Sequence, residues 1–190
     1  MSLRRLLALA VLPLAAAIAC HVAYAPKALY PISADTLRLS ALTGTPIDAR
    51  SAVLLLSGSE IVPGQSENFD FALDIDANGN VVIIPRTKVL TCTSLCQLGI
   101  AFPSAPFDSL YDAPERGYVY DSTKTVAPGK AVAFVTKATS CIPSNISTYD
   151  VYAKMVVDSV RMSDRAIFIR LVTDPNCGFR GLVPGIVPKH

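Results

Sequence analysis

Residues 69–85 run Phe69-Asp70-Phe71-Ala72-Leu73-Asp74-Ile75-Asp76-Ala77-Asn78-Gly79-Asn80-Val81-Val82-Ile83-Ile84-Pro85. From Phe69 to Asp76 apolar residues alternate with small or acidic ones. Successive side chains of a strand point to opposite faces, so this is the pattern of a half-buried strand. Asn78-Gly79 then precedes a second apolar run, Val81 to Ile84. Asn-Gly between two such runs predicts a hairpin, with both residues at positive φ in a type I′ turn. Pro85 has no N–H for a ladder and should end the strand or lie on an edge.

The same pattern recurs outward from this hairpin. Tyr149, Val151, Ala153, Met155 and Val157 share one face of a candidate strand, Ser163-Asp164 supplies a turn, and Ile167, Ile169 and Leu171 return on one face. Leu37–Leu39, Ala52–Leu56, Tyr118–Tyr120 and Ala131–Val135 add shorter candidates, the last entered through Pro128-Gly129. About eight short strands at turn-punctuated spacing predict an all-β fold, an antiparallel β-sandwich that is immunoglobulin-like in the broad sense. A small closed β-barrel is the alternative. One short helix is expected around Thr91 to Leu98.

Composition limits the function classes. Aliphatic, aromatic and cysteine residues make up 51% of the 190 and charged residues 17%, too apolar for a disordered chain. Lys plus Arg number 17 and Asp plus Glu 15; without Arg4 and Arg5 the balance is 15 against 15. The cations are scattered singly, so no nucleic-acid partner is expected.

Arg4-Arg5 followed by the apolar run Leu6–Ala19 reads as an export signal, too short to span a bilayer as a helix. Ala17-Ile18-Ala19-Cys20 resembles the lipobox of bacterial lipoproteins, with Ala17 where Leu is usual. That resemblance implies cleavage before Cys20 and lipidation of Cys20. His21 in place of Asp resembles the residues that permit sorting to an outer membrane, where the cell has one. The expected organisation is a signal peptide over 1–19, a lipid site and tether over 20–34, and one sandwich domain over 35–190 with a short C-terminal tail.

Five cysteines are an odd number, and anchoring through Cys20 leaves Cys92, Cys96, Cys141 and Cys177 for two bridges. Cys177 should lie opposite about residue 150 of the second hairpin, within reach of Cys141, which leaves Cys92 with Cys96. Sequence alone does not choose among the three connectivities. A zinc site from the same thiols lacks paired C-x-x-C spacing.

Asp74, Asp76 and Asn78 match the first half of a calcium loop, D-x-D-x-N-G. Val82 and Pro85 stand where its later ligands belong, so the bland reading, an acidic face meeting a turn, is preferred. No metal and no cofactor is expected. The histidines, His21 and His190, are terminal, which leaves a Ser or Cys nucleophile without an obvious base. No catalytic residue is assigned. Glu60, Glu67 and Glu115 are the glutamates from which a carboxylate-dependent hydrolase would draw.

The stretches Phe69–Asp76, Tyr152–Val160 and Asp174-Pro175-Asn176-Cys177-Gly178-Phe179-Arg180 resemble segments of a family of exported bacterial proteins with a β-rich body and no assigned activity. The resemblance covers most of residues 35–188 and implies a class without a mechanism. The expectation is an exported, lipid-anchored envelope protein, held to a membrane through its anchor. Its role is to bind or brace an envelope protein or glycan. The alternative is a hydrolase of envelope polysaccharide.

Overall fold

The computed structural model describes residues 28–92, 96–138 and 149–189. The leader, Cys20 and Cys141 lie outside the described residues. In chain order the first strands are β1 (Ser33–Ser40), β2 (Ala52–Leu54), β3 (Ser59–Ile61), β4 (Phe71–Ile75) and β5 (Val81–Pro85), followed by a single helical turn, α1 (Arg86–Val89). Then come β6 (Leu98–Ala101), β7 (Val119–Tyr120), β8 (Lys124–Val126), β9 (Ala131–Ala138), β10 (Tyr149–Arg161) and β11 (Ala166–Asp174). They form a six-stranded sheet, β1-β11-β10-β9-β6-β7, and a five-stranded sheet, β3-β2-β4-β5-β8. All pairings are antiparallel. The fold is a β-sandwich. No strand pairing joins the two sheets among the described residues, so it is not the closed barrel.

The opening hairpin forms as β4 and β5, paired from Phe71↔Pro85 to Ile75↔Val81, and Pro85 does end its strand. The turn differs from the type I′ expectation. Gly79 alone takes positive φ, at 79°. Gly79 N–H donates to Asp76 C=O at 3.2 Å and Asp76 N–H to Asn80 C=O at 2.9 Å. This is a three-residue loop with the glycine as its bulge. The Asp76 carboxylate explains the choice, because it accepts from the N–H groups of both Asn78 and Asn80 at 2.8 Å and so holds Asn78 in the ordinary right-handed region.

The second hairpin, β10 with β11, closes at Arg161↔Ala166 and carries a bulge that leaves Asp158 unpaired. The extra residue exchanges faces. Ala153, Met155 and Val157 point into the core before it, and Val160 packs there after it. Between the sheets, Leu39, Leu73, Ile83, Met155 and Ile169 are fully buried, and Phe71 of one sheet stacks on Phe134 of the other with centroids 4.8 Å apart.

The six-stranded sheet is also covered on its outer face. Ile32, Phe107, Ala113, Val156, Val172 and Leu182 form one cluster there, and Ala101, Leu110 and Ala133 another. The cover comes from the loop after β6, the segment before β1, and the chain after β11. That is why Ala131–Thr136 is buried at every position instead of alternating.

Two expectations are corrected by this cover. Residues 28–34 are not a tether: Ile32 is buried and β1 already begins at Ser33. The C-terminal tail is part of the body, because Ile32 N–H donates to Ile186 C=O and Gly185 N–H to Ile32 C=O. A single helical turn stands at Arg86–Val89; of the helix expected around Thr91 to Leu98, residues 93–95 lie outside the described residues and Leu98 opens a strand.

Candidate functional site

The cysteines come out as far as they can be followed. Cys92 and Cys96 are joined in a disulfide with Cα atoms 6.3 Å apart. Cys177 is also disulfide-bonded. Gly178 N–H donates to Asp150 C=O at 2.8 Å, which sets Cys177 opposite residue 150 as its distance from the hairpin turn predicts. Cys141, its expected partner, lies outside the described residues.

The calcium candidate is not assembled as a ligand set. Asp74 turns toward the β10–β11 turn, where Arg165 Nη2 donates to it at 2.9 Å, and it also accepts from Thr43 Oγ1 at 2.8 Å. Asp76 is occupied by its own turn, whose donors, Asn80 N–H foremost, hold its carboxyl below the usual range. Among the described residues no group of three or more His, Cys, Asp or Glu could hold a metal ion.

The glutamates are also separate. Glu60 on β3 pairs with Arg50 at 3.2 Å, Glu115 in the loop before β7 pairs with Arg180 at 2.9 Å, and Glu67 is exposed. The carboxyls pushed upward by burial are instead Asp70 and Asp174. Asp70 accepts from Thr136 Oγ1 and from Leu55 N–H, so it joins β9 to the five-stranded sheet. Among the described residues no second carboxylate contributes to either shift.

Asp174 sits in a clamp that sequence reading missed. It is fully buried, and its carboxyl is pushed up to about 6 by desolvation. Its Oδ1 accepts from Asn176 N–H at 2.8 Å and from Asn176 Nδ2 at 2.7 Å, while Oδ2 has no partner among the described residues. The Asn176 amide, so oriented, accepts from Leu29 N–H at 2.7 Å and Tyr30 N–H at 2.9 Å and donates to Tyr30 C=O at 2.6 Å. Asp174-Pro175-Asn176 therefore acts at a distance from its own strand. It fastens the segment that enters β1.

A second buried polar group props the outer cover. Lys154 is 3% exposed, and its Nζ donates to Phe107 C=O at 3.0 Å and Leu110 C=O at 2.9 Å, capping the short 3-10 turn Phe107–Ser109. Desolvation lowers its pKa. Arg170 lies over the same Phe107 ring at 4.8 Å and pairs with Asp108 and Asp158.

The outer face of the six-stranded sheet also carries an aromatic group in register. Tyr120 pairs with Gly99, Gly99 with Val135, Val135 with Tyr152, and Tyr152 with Asp174, one row across five strands. A Cβ on Gly99 would lie 2.5 Å from Val135 Cγ1, 2.9 Å from Tyr120 Cε1 and 3.1 Å from Tyr118 Cβ. The tyrosines pack into the space that glycine leaves. Tyr120 remains 50% exposed. The Tyr118 hydroxyl is buried without a hydrogen-bond partner among the described residues, burial pushes its pKa up, and Tyr152, Tyr120, Arg180 and Asp150 all act on it electrostatically. Chemically, this is an aromatic face edged by polar groups.

Comparison of the chain with family models, with curated proteins and with solved structures finds no match.

Proposed function

We propose that the chain is an exported, lipid-anchored envelope protein whose sandwich binds or braces a partner without catalysis. The observation that carries the binding role is the row Tyr120–Gly99–Val135–Tyr152 with Tyr118 beside it, an aromatic row of which Tyr120 is half-exposed. Export and anchoring rest on the leader and on Cys20. The clamp at Asn176 supports a short leash. From Cys20 to Leu29 the chain reaches at most about 30 Å even fully extended, so an anchored sandwich is held against the membrane surface.

Metabolic labelling of cells with a clickable fatty acid tests the anchor. Wild type takes the label and Cys20→Ser does not; equal labelling of the two refutes the anchor. Fractionation of the same two strains tests the compartment, with wild type in the membrane fraction.

A further inference from the structure

We infer that Leu29, Tyr30, Ile186 and Val187 form the face by which the sandwich rests in a lipid surface, which builds on the anchor proposed above and names the end that meets the bilayer. The four are between 39% and 69% exposed. Four of the ten large hydrophobic residues exposed among the described residues thus fall in two short segments. Those segments meet. Ile32 N–H donates to Ile186 C=O at 3.1 Å and Gly185 N–H to Ile32 C=O at 2.8 Å, while Asn176 fixes the backbone of Leu29 and Tyr30. The apolar residues are therefore presented on a held backbone.

The occupant follows from the chain that enters this patch. Leu29 is nine residues after Cys20, so a bilayer holding Cys20 is within about 30 Å of it. Strand β11 runs nine residues from the β10–β11 turn to Asp174, beside the Asn176 clamp, which sets that turn about 30 Å away at the far end. Apolar side chains beside the anchor gain by leaving water for the boundary of headgroups and acyl chains. The Tyr30 ring, apolar with a polar tip, suits the same layer.

Charge agrees with a lipid surface. No Asp or Glu occurs from Cys20 to Ala34 or from Pro175 to His190, whereas Lys27 and Lys189 flank the apolar residues in sequence. Of the acids on neighbouring chain, Glu115 pairs with Arg180 and Asp150 with Lys137, and Asp112 stands opposite Gly181. Anionic headgroups attract flanking lysines of this kind. The far end is built for water instead. There Asp164 pairs with Arg161 and Arg38, and Asp74 with Arg165.

The chain has no tryptophan, so a single substituted one is an unambiguous probe. The full chain, expressed and processed in cells, is reconstituted into phosphatidylethanolamine–phosphatidylglycerol vesicles whose acyl chains are brominated near the headgroup. Emission of Ile186→Trp and of Tyr30→Trp should move to the blue and be quenched by the bromine. Met162→Trp, in the half-exposed far turn, should keep its emission. Leu29→Asp with Val187→Asp should relieve the quenching of Ile186→Trp in a protein that still melts cooperatively. Vesicle-bound protein in which neither near probe is quenched, or in which all three are, overturns the face and keeps the anchor. So does quenching unmoved by the two aspartates. Blue emission from Ile186→Trp before lipid is added, with no response to bromine, means that the chain itself or a second copy covers the patch, and also overturns the face. If wild type takes no fatty-acid label in cells yet the near probes are quenched, the face stands and the anchor falls. Protein that neither takes the label nor binds the vesicles overturns both.

Discussion

Thr136 Oγ1 donates to Asp70 Oδ1 at 2.6 Å, a side-chain bond that crosses from the six-stranded sheet to the five-stranded one. The other oxygen of Asp70 accepts from Leu55 N–H at 2.7 Å. The carboxyl thus spans three strands' worth of chain at one end of the core. Asp70→Ala leaves the Thr136 hydroxyl and the Leu55 N–H without their acceptor and should cost about 2–4 kcal/mol. Asp70→Asn keeps the shape without the desolvated charge, and at neutral pH should cost clearly less than the alanine. Urea titration of the three proteins checks the order; equal losses would mean that the shape asparagine keeps contributes nothing there.

The buried acid on β11 makes stability depend on pH in a direction opposite to ordinary acid unfolding. Asp174 titrates near 6 in the folded protein against an ordinary 3.8, so the folded state holds the proton more tightly. Its contribution is complete below about pH 4 and is lost as pH rises through 6. Asp164 acts the other way. Arg161 holds it down to about 2, and its contribution is present above 3.8 and lost as pH falls toward 2. Subtracting the profile of Asp174→Asn from that of wild type isolates the first effect, and the difference should favour wild type progressively more from pH 7 down to pH 4. A flat difference would refute the assignment.

Lys154→Met keeps the apolar stem and removes the ammonium that holds the carbonyls of Phe107 and Leu110. The expected loss is about 1–3 kcal/mol. Hydrogen exchange should quicken over residues 105–115 while β10 itself stays protected. Uniform acceleration across the sandwich would refute a local role.

Asn176→Ala removes both acceptor and donor from the backbone of Leu29 and Tyr30. The expected result is protease cleavage near residues 27–31 in a protein whose core remains folded, with a loss of about 1–3 kcal/mol. An unchanged digestion pattern would show that Ile32 and its partner Ile186 suffice to hold the segment.

The hairpins were legible because each carries its own signal. Alternation runs through Phe69–Asp76, and the faces of Met155 and Ile169 can be followed to a turn. The turn at Asn78-Gly79 was placed correctly, but its type depended on an acceptor two residues back, Asp76, whose reach no propensity describes. Ser59–Ile61 and Lys124–Val126 are three-residue strands, too short for a period to show. Leu98–Ala101 is buried on both sides and so does not alternate. The bulge at Asp158 has no residue signature. The cysteine spacing carried real information. The clamp did not, because Asn176 and Leu29 meet only after 147 residues of intervening chain have folded. The tyrosine row is equally hidden: Tyr120, Gly99, Val135 and Tyr152 sit on four strands, and only the register aligns them.

The pairing of Ser33–Ser40 with Ala166–Asp174 imposes an order on how the molecule is made. A ribosome delivers the first strand long before the ninth residue of its neighbour exists, and no earlier strand borders it. Until then its backbone groups have only water, or a chaperone, to bond with. Loop closure over that separation is slow, and an uncovered strand edge invites pairing with another nascent chain. A chain ending before residue 166 would hold a sheet that lacks its last two members, with β10 as its bare margin. Release of the final two dozen residues would then complete the sheet and its outer cover together, so the earliest strand synthesised is among the last to be secured.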